Sequence, residues 1–160
     1  MTTRRQCFPC TACCEGWLTA DIQGHWMEPY TPCVHCTGMG CAIYEKRPVY
    51  PCVAFKCAWL TEHATVPDEM RPDKCGAIVA LDRKWHGRKV ITAFPTGERI
   101  PEDTLEWLTA YSRQHSIPLL FCENLLREGK YAGKKSLGYG PPSFIHAVKT
   151  ELEPEDIWKL

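Results

Sequence analysis

Residues 7–14 read Cys-Phe-Pro-Cys-Thr-Ala-Cys-Cys and place four thiols within eight positions. A C-x2-C step brings two sulfurs toward one metal ion, because the tight turn between them points both side chains the same way. Two such steps share Cys10, so a single loop presents the thiolates of Cys7, Cys10 and Cys13. This pattern suits three corners of an iron–sulfur cube with a fourth ligand from elsewhere. It suits equally a zinc site with one ligand left over.

Cys14 directly follows Cys13 and needs a separate interpretation. Adjacent side chains of an extended chain point to opposite faces, so Cys13 and Cys14 could serve two different centres. Packed thiols or disulfides are the alternative interpretation. It is disfavoured because free cysteines used only for packing are rarely clustered this densely.

Ten of the eleven cysteines lie in residues 1–75, and only Cys122 lies beyond, in an apolar run that predicts an inert buried thiol. Ten thiols are enough for two four-ligand centres with two to spare. Soft thiolates suit zinc and iron–sulfur clusters alike, so the predicted cofactor is a 4Fe–4S cluster or Zn²⁺, with two metal centres as an option. His35 could replace a thiolate, although a non-ligating histidine is favoured. The candidate metal ligands are Cys7, Cys10, Cys13, Cys14, Cys33, Cys36, Cys41, Cys52, Cys57 and Cys75.

Charge and hydropathy bear on partners and compartment. Lys and Arg number 19, as do Asp and Glu, so the net charge is +0. Phosphate neutralisation dominates nucleic-acid affinity, so no nucleic-acid partner is expected. No run approaches the roughly 18 apolar residues of a membrane span, and no secretory signal is evident, so no membrane association is expected. Clustered cysteines then indicate metal binding in a reducing cytoplasm, with an unidentified protein or redox partner.

The chain divides by composition at about residue 75. Prolines punctuate residues 1–75, which predicts a loop-rich, cysteine-based metal-binding lobe that depends on its metal for folding free energy. Residues 76–160 predict a small antiparallel sheet with packed helices, forming one compact unit with the lobe. The predicted fold class is therefore α+β.

Two apolar runs, residues 77–81 and 90–94, predict an antiparallel hairpin whose long polar loop covers residues 82–89. Asp103, with Glu106 three positions later, predicts a capping box that opens a helix ending near His115.

The remainder of the chain predicts shorter elements. Residues 119–122 favour a third strand, residues 124–128 a short helix, and residues 138–142 a turn-rich loop. The basic cluster within residues 127–135 favours a solvated loop. Pro154, followed by two acidic residues, predicts a last helical turn.

No catalytic apparatus independent of the cysteines is visible, and whether the chain is an enzyme stays open. The sequence has no glycine-rich phosphate loop, no H-E-x-x-H motif and no nucleophile elbow. An enzyme with a substrate between the two halves, near Arg47 or Arg71, is a weaker alternative. A structural zinc lobe that presents the second half to a partner is the main competitor to an iron–sulfur protein.

The cysteine pattern resembles a known family. The first block is Cys7-x2-Cys10-x2-Cys13-Cys14, and the second is Gly40-Cys41-x-Ile43-Tyr44-Glu45-x-Arg47-Pro48-x3-Cys52-x2-Phe55-x-Cys57-x-Trp59-Leu60. Together they resemble the CxxCxxCC cysteine-cluster family, also called the YkgJ type or a zinc- or iron-chelating domain. The resemblance covers about residues 7–75 and implies a bacterial cytoplasmic protein that binds an iron–sulfur cluster or zinc, with no settled reaction. By this resemblance Cys36 and Cys75 are additions to the common pattern.

Overall fold

The computed structural model describes residues 4–151 and 157–160, and its composition confirms the α+β class. A short hairpin in the N-terminal lobe pairs strands β1 (Ala20–Ile22) and β2 (His25–Met27). The main sheet contains β3 (Ala77–Trp85), β4 (Arg88–Pro95), β5 (Leu119–Arg127) and β6 (Lys130–Tyr139). The α-helices are α1 (Ala58–Thr61), α2 (Pro72–Cys75), α3 (Glu102–His115) and α4 (Pro142–Thr150).

The main sheet is mixed. Its strands lie in the order β3-β4-β5-β6, and the two outer pairs are antiparallel. The central pair, β4 and β5, is parallel, with Ile91 opposite Leu119. A parallel pair requires a crossover connection, and α3 supplies it. The antiparallel sheet expected from the sequence therefore holds for two of its three pairings.

The β3–β4 hairpin is confirmed, but the long loop predicted over residues 82–89 is wrong. Only His86 and Gly87 separate the strands, and their φ angles of 49° and 73° fit the tight turn favoured in hairpins. After Leu81 the side chains of β3 alternate between half-buried and exposed. Polar residues therefore remain within the strand, because every second position faces water.

The short helix predicted over residues 124–128 is also wrong, because β5 runs through that segment. Asn124 pairs with Lys134 on β6, and Glu128 and Gly129 form the turn with φ angles of 52° and 75°. The basic cluster is thus largely strand rather than solvated loop. Lys134 is buried enough to lower its pKa through desolvation, and its Nζ donates a 2.9 Å hydrogen bond to Oδ1 of Asn124.

Helix α3 is confirmed, but its predicted capping box is wrong. Pro101 occupies the N-cap, no side chain caps the helix, and Asp103 lies inside the first turn. The sequence analysis did not predict α4, which begins at Pro142, and it placed a loop where β6 continues to Tyr139. The helical turn predicted at Pro154 lies outside the described residues.

One cluster of buried apolar side chains extends from the sheet into the cysteine lobe, where it includes Leu18. Trp158 is 1% exposed and packs edge-on against Phe94 at a centroid distance of 5.2 Å. The amide of Leu160 donates a 2.9 Å hydrogen bond to the carbonyl oxygen of Thr19. The segment 157–160 therefore connects the lobe to the main sheet.

Among the helices of residues 4–151 and 157–160, none combines the length and the apolar character needed to cross a bilayer.

Candidate metal centre

Eight of the ten candidate cysteines line one cavity of about 180 Å³ in the N-terminal lobe. They are Cys7, Cys10, Cys13, Cys14, Cys33, Cys41, Cys52 and Cys57. Apolar side chains complete much of the wall, among them Leu18, Ile22 and Trp59, all of which are buried. The fold thus gathers thiols from three separate loops around one largely apolar space.

The loop of residues 7–14 is held by its own backbone. The amide of Cys10 donates to the carbonyl oxygen of Cys7 at 2.6 Å, and Cys13 opens a wide helical turn that runs to Trp17. The extended backbone assumed from the sequence is therefore wrong at Cys13 and Cys14. Successive side chains of any helical turn are rotated about its axis, so these two thiols still point in different directions.

Four of the thiols form what we call the first thiol group: Cys7, Cys10, Cys13 and Cys57. Burial raises the pKa of Cys13 well above its usual value, and the thiolates of Cys57, Cys10, Cys14 and Cys7 raise it further, in that order. Burial raises the pKa of Cys57 to about 11, with smaller contributions in the same direction from Cys7 and Cys10. Cys57 reaches this group because it occupies the N-cap of α1.

The second thiol group consists of Cys14, Cys33, Cys36, Cys41 and Cys52. Burial raises the pKa of Cys14 to about 12, and its electrostatic neighbours are the other four members, Cys36 first. Burial also raises the pKa of Cys52, and Cys33 and Cys41 add to that rise. Thus Cys13 interacts mainly with one set of thiols, whereas Cys14 interacts mainly with the other.

Backbone contacts place the second group. The amide of Cys33 donates to the carbonyl oxygen of Cys14 at 2.9 Å, and the amide of Cys36 donates to the carbonyl oxygen of Cys33 at 2.9 Å. Cys36 in turn pairs with Cys41 in an isolated antiparallel bridge. The second C-x2-C is therefore a tight turn positioned against the first cysteine loop.

Gly16 permits this close approach, although the sequence analysis did not single it out. Its φ is +99°, and a Cβ built there would lie 2.6 Å from the carbonyl oxygen of Glu28 and 2.7 Å from that of Thr31. Only glycine fits both the left-handed backbone and the space. A glycine two residues after the paired cysteines was the available signal in the sequence.

Two polar side chains of the cavity wall have unpaired atoms. Nε of Arg47 and Nε2 of His35 are buried, and neither has a hydrogen-bond partner within the described residues. The guanidinium of Arg47 stacks 3.8 Å from the ring centroid of Tyr44. Its charge interacts with the thiolates of Cys7 and Cys41, one from each thiol group.

The other predicted ligands lie apart from the cavity lining. Cys36 belongs to the second thiol group through Cys14 but does not line the cavity. Burial raises the pKa of Cys75 to about 11, and its thiol donates to the carbonyl oxygens of Met70 at 3.4 Å and Ala77 at 3.2 Å. Cys122 is fully buried in β5, as the sequence predicted.

The donor set fits a thiophilic metal, because thiolate is the ligand that zinc and iron–sulfur clusters share. The spacing is not that of a closed centre. Within residues 4–151 and 157–160, no three His, Cys, Asp or Glu side chains are placed to hold one metal ion. Binding would therefore draw the cysteine loops closer together, in keeping with the coupling of metal binding to folding in small metal lobes.

Comparison with known proteins does not identify a relative. No protein-family model matches the chain, and no match was found among curated proteins or solved structures. The resemblance to the CxxCxxCC family stays a prediction.

Proposed function

We propose that this protein binds metal through its N-terminal cysteines and holds a 4Fe–4S cluster with a redox role. The observation that carries the proposal is the cavity lined by eight cysteine side chains. All eleven cysteines are free, so the thiols remain available as ligands. Three thiols of one loop and Cys57 from α1 would supply the four ligands that a cluster takes.

The surroundings of the first thiol group suit a cluster. Trp59 is 6% exposed and lines the cavity together with Phe55, so these rings limit the access of water. Burial and hydrogen bonding to sulfur are the means by which a protein sets the potential of a cluster. Arg47 supplies a buried donor near Cys7 that is free for such a bond.

A structural zinc protein that acts as an interaction module is the second candidate. One observation favours it: large apolar side chains project into solvent from the cysteine lobe. Phe8 is 72% exposed, Met39 79%, Val49 74% and Tyr50 68%. Exposed apolar side chains that form a contiguous patch mark a protein–protein contact surface, and under this second candidate the four residues belong to such a patch. Under this proposal the zinc holds in place the loops that carry these exposed apolar side chains.

The proposed setting is a reducing bacterial cytoplasm. Unpaired cysteines in this number favour that compartment, because an oxidising one would cross-link them. The proposed partner is a protein or redox partner rather than a nucleic acid, since the net charge of +0 provides no basic field.

The test is anaerobic purification from cells supplied with iron and zinc, followed by elemental analysis and a visible spectrum of the same sample. About four irons per chain with a broad shoulder near roughly 400 nm would support the cluster. Zinc without visible absorption would support the structural module. A folded protein containing neither metal would refute both proposals.

A further inference from the structure

The ten candidate ligands need not bind one metal together. Cys13 and Cys14 are adjacent in the chain, but the thiols that interact most strongly with them differ. We infer that Cys13 and Cys14 belong to two independent metal centres. The first consists of Cys7, Cys10, Cys13 and Cys57, and the second consists of the four members of the second thiol group that line the cavity, Cys14, Cys33, Cys41 and Cys52. This inference rests on the proposed metal-binding function and assigns the ligands within it. The second centre would take a soft divalent ion such as Zn²⁺.

The loop geometry supports the first centre. The 2.6 Å hydrogen bond from the amide of Cys10 to the carbonyl oxygen of Cys7 closes a tight turn between two thiols. Cys13 follows at the start of the helical turn, and Cys57 approaches from the N-cap of α1. Cys7 and Cys10 are the cysteines that interact most strongly with Cys57.

A separate set of contacts supports the second centre. Cys33 is tied to Cys14 by a backbone hydrogen bond, and the bridge between Cys36 and Cys41 closes the loop after it. The amide of His35 donates to Sγ of Cys33 at 3.5 Å, a contact that stabilises a thiolate ligand. Cys52 joins through its interactions with Cys33 and Cys41.

Arg47 lies where the two groups meet. Four thiolates around one divalent ion carry a net charge of −2, so two neighbouring centres of this kind would repel each other. The guanidinium of Arg47 interacts with Cys7 of the first group and with Cys41 of the second. Its buried, unpaired Nε is placed in the cavity wall that both groups share. A single cation therefore offsets the repulsion from both sides.

Two adjacent substitutions test the inference: Cys13→Ser and Cys14→Ser in the full chain, purified anaerobically and analysed for iron, zinc and visible absorption. Each variant should lose the metal of one centre and keep that of the other, so that the two show complementary losses. Identical losses in both variants, or a wild-type protein with a single centre, would overturn the inference. A metal-free wild-type protein would instead overturn the proposed function.

A second pair of variants tests the inference if the first pair does not fold. If far-ultraviolet circular dichroism shows that either variant has lost its secondary structure, the comparison is repeated with Cys57→Ser and Cys52→Ser. Cys57 lies in the first group and Cys52 in the second. Complementary losses in this pair support two centres, whereas loss of all metal from both variants argues for one shared centre.

Discussion

The amide of Cys33 donates a 2.9 Å hydrogen bond to the carbonyl oxygen of Cys14. This contact joins two cysteine loops that are distant in sequence and places the second C-x2-C beside the first loop. Close to this contact, Glu28 and Thr31 approach Gly16, where backbone oxygens occupy the space that a side chain would need. Gly16, which supplies no metal ligand, therefore contributes to the geometry of the candidate centre.

Gly16→Ala should destabilise the lobe and reduce its metal content, because the added Cβ would lie 2.6 Å from a backbone oxygen. Gly24→Ala is the matched control, since Gly24 also has a positive φ of +85° but nothing within 4 Å of its Cβ position. The clash should cost about 1–3 kcal/mol beyond the control, measured as the free energy of unfolding. Equal values for the two variants would show that the close approach is unimportant.

Trp158→Ala should destabilise the whole protein by about 3–5 kcal/mol, because it empties a buried site next to Phe94. It also removes the donor of the 2.9 Å hydrogen bond from Nε1 to Oγ of Ser136. Urea unfolding measures the effect. Trp26→Ala provides the comparison, since Trp26 is 45% exposed and its loss should cost less than about 1 kcal/mol. A Trp158 variant as stable as the Trp26 variant would contradict the anchoring role.

Cys122 should make stability fall at alkaline pH. Burial raises its pKa to about 12 in the folded protein, whereas an unfolded thiol ionises near roughly 8.5. Above that pH the folded state binds more protons than the unfolded state, so the free energy of unfolding decreases as pH rises toward 12. Between pH 8 and 10.5 the wild type should lose about 2 kcal/mol more than Cys122→Ala.

The measurement is urea unfolding under reducing conditions at several pH values. The slopes with pH are compared rather than the absolute stabilities, because Cys122→Ala also leaves a small cavity. Cys122→Ser should share the shallower slope, since serine does not titrate in this range. If the free energy of unfolding fell with pH equally in the wild type and in both variants, ionisation of Cys122 would not be the cause of the alkaline loss of stability.

Cys75→Ser should retain its metal, although the sequence placed Cys75 among the candidate ligands. Its thiol donates to backbone carbonyl oxygens, which a serine hydroxyl can also do, and it does not line the cavity. Cys57→Ser is the buried control and should lose the metal of the first group. Elemental analysis of both variants measures their metal content. Loss of metal from Cys75→Ser would show that Cys75 is a ligand after all.

Metal removal should affect the two halves of the chain unequally. The loops of residues 7–57 contain little regular structure, whereas β3 to β6 are held by extensive backbone pairing. After chelation, amide hydrogen exchange should accelerate in the cysteine loops and change little in β4 and β5. Uniform acceleration across the chain would show that the sheet also depends on the metal.

Local patterns in the sequence predicted those elements whose stability is largely local. The β-branched runs around Ile78 and Ile91 indicated the first hairpin, and the pattern that begins at Asp103 and ends near His115 indicated α3. Residues 124–127 include good helix formers but lie in β5, because pairing with β6 outweighs intrinsic propensity. Helix α4 was missed although Pro142 at its start, and Phe144 and Val148 four positions apart, were available signals.

The cysteines indicated thiolate chemistry, but their partition could not be read from spacing. The position of Cys57 beside Cys13 depends on where α1 begins. The position of Cys33 beside Cys14 depends on a loop approach that only the folded backbone reveals. Such contacts join residues far apart in sequence, and no local pattern encodes them.

The cavity wall includes both Cys7 and Leu160, which are 153 positions apart (160 − 7). During synthesis the thiols of residues 7–57 would therefore leave the ribosome long before the wall that encloses them can form. Contacts this distant in sequence carry a large loop-closure entropy and slow folding. A metal ion that binds these cysteines before the cavity forms binds an unfolded chain, which has little selectivity among metals. Correct loading should thus follow formation of the main sheet, and the order of these two events would determine which metal the protein carries.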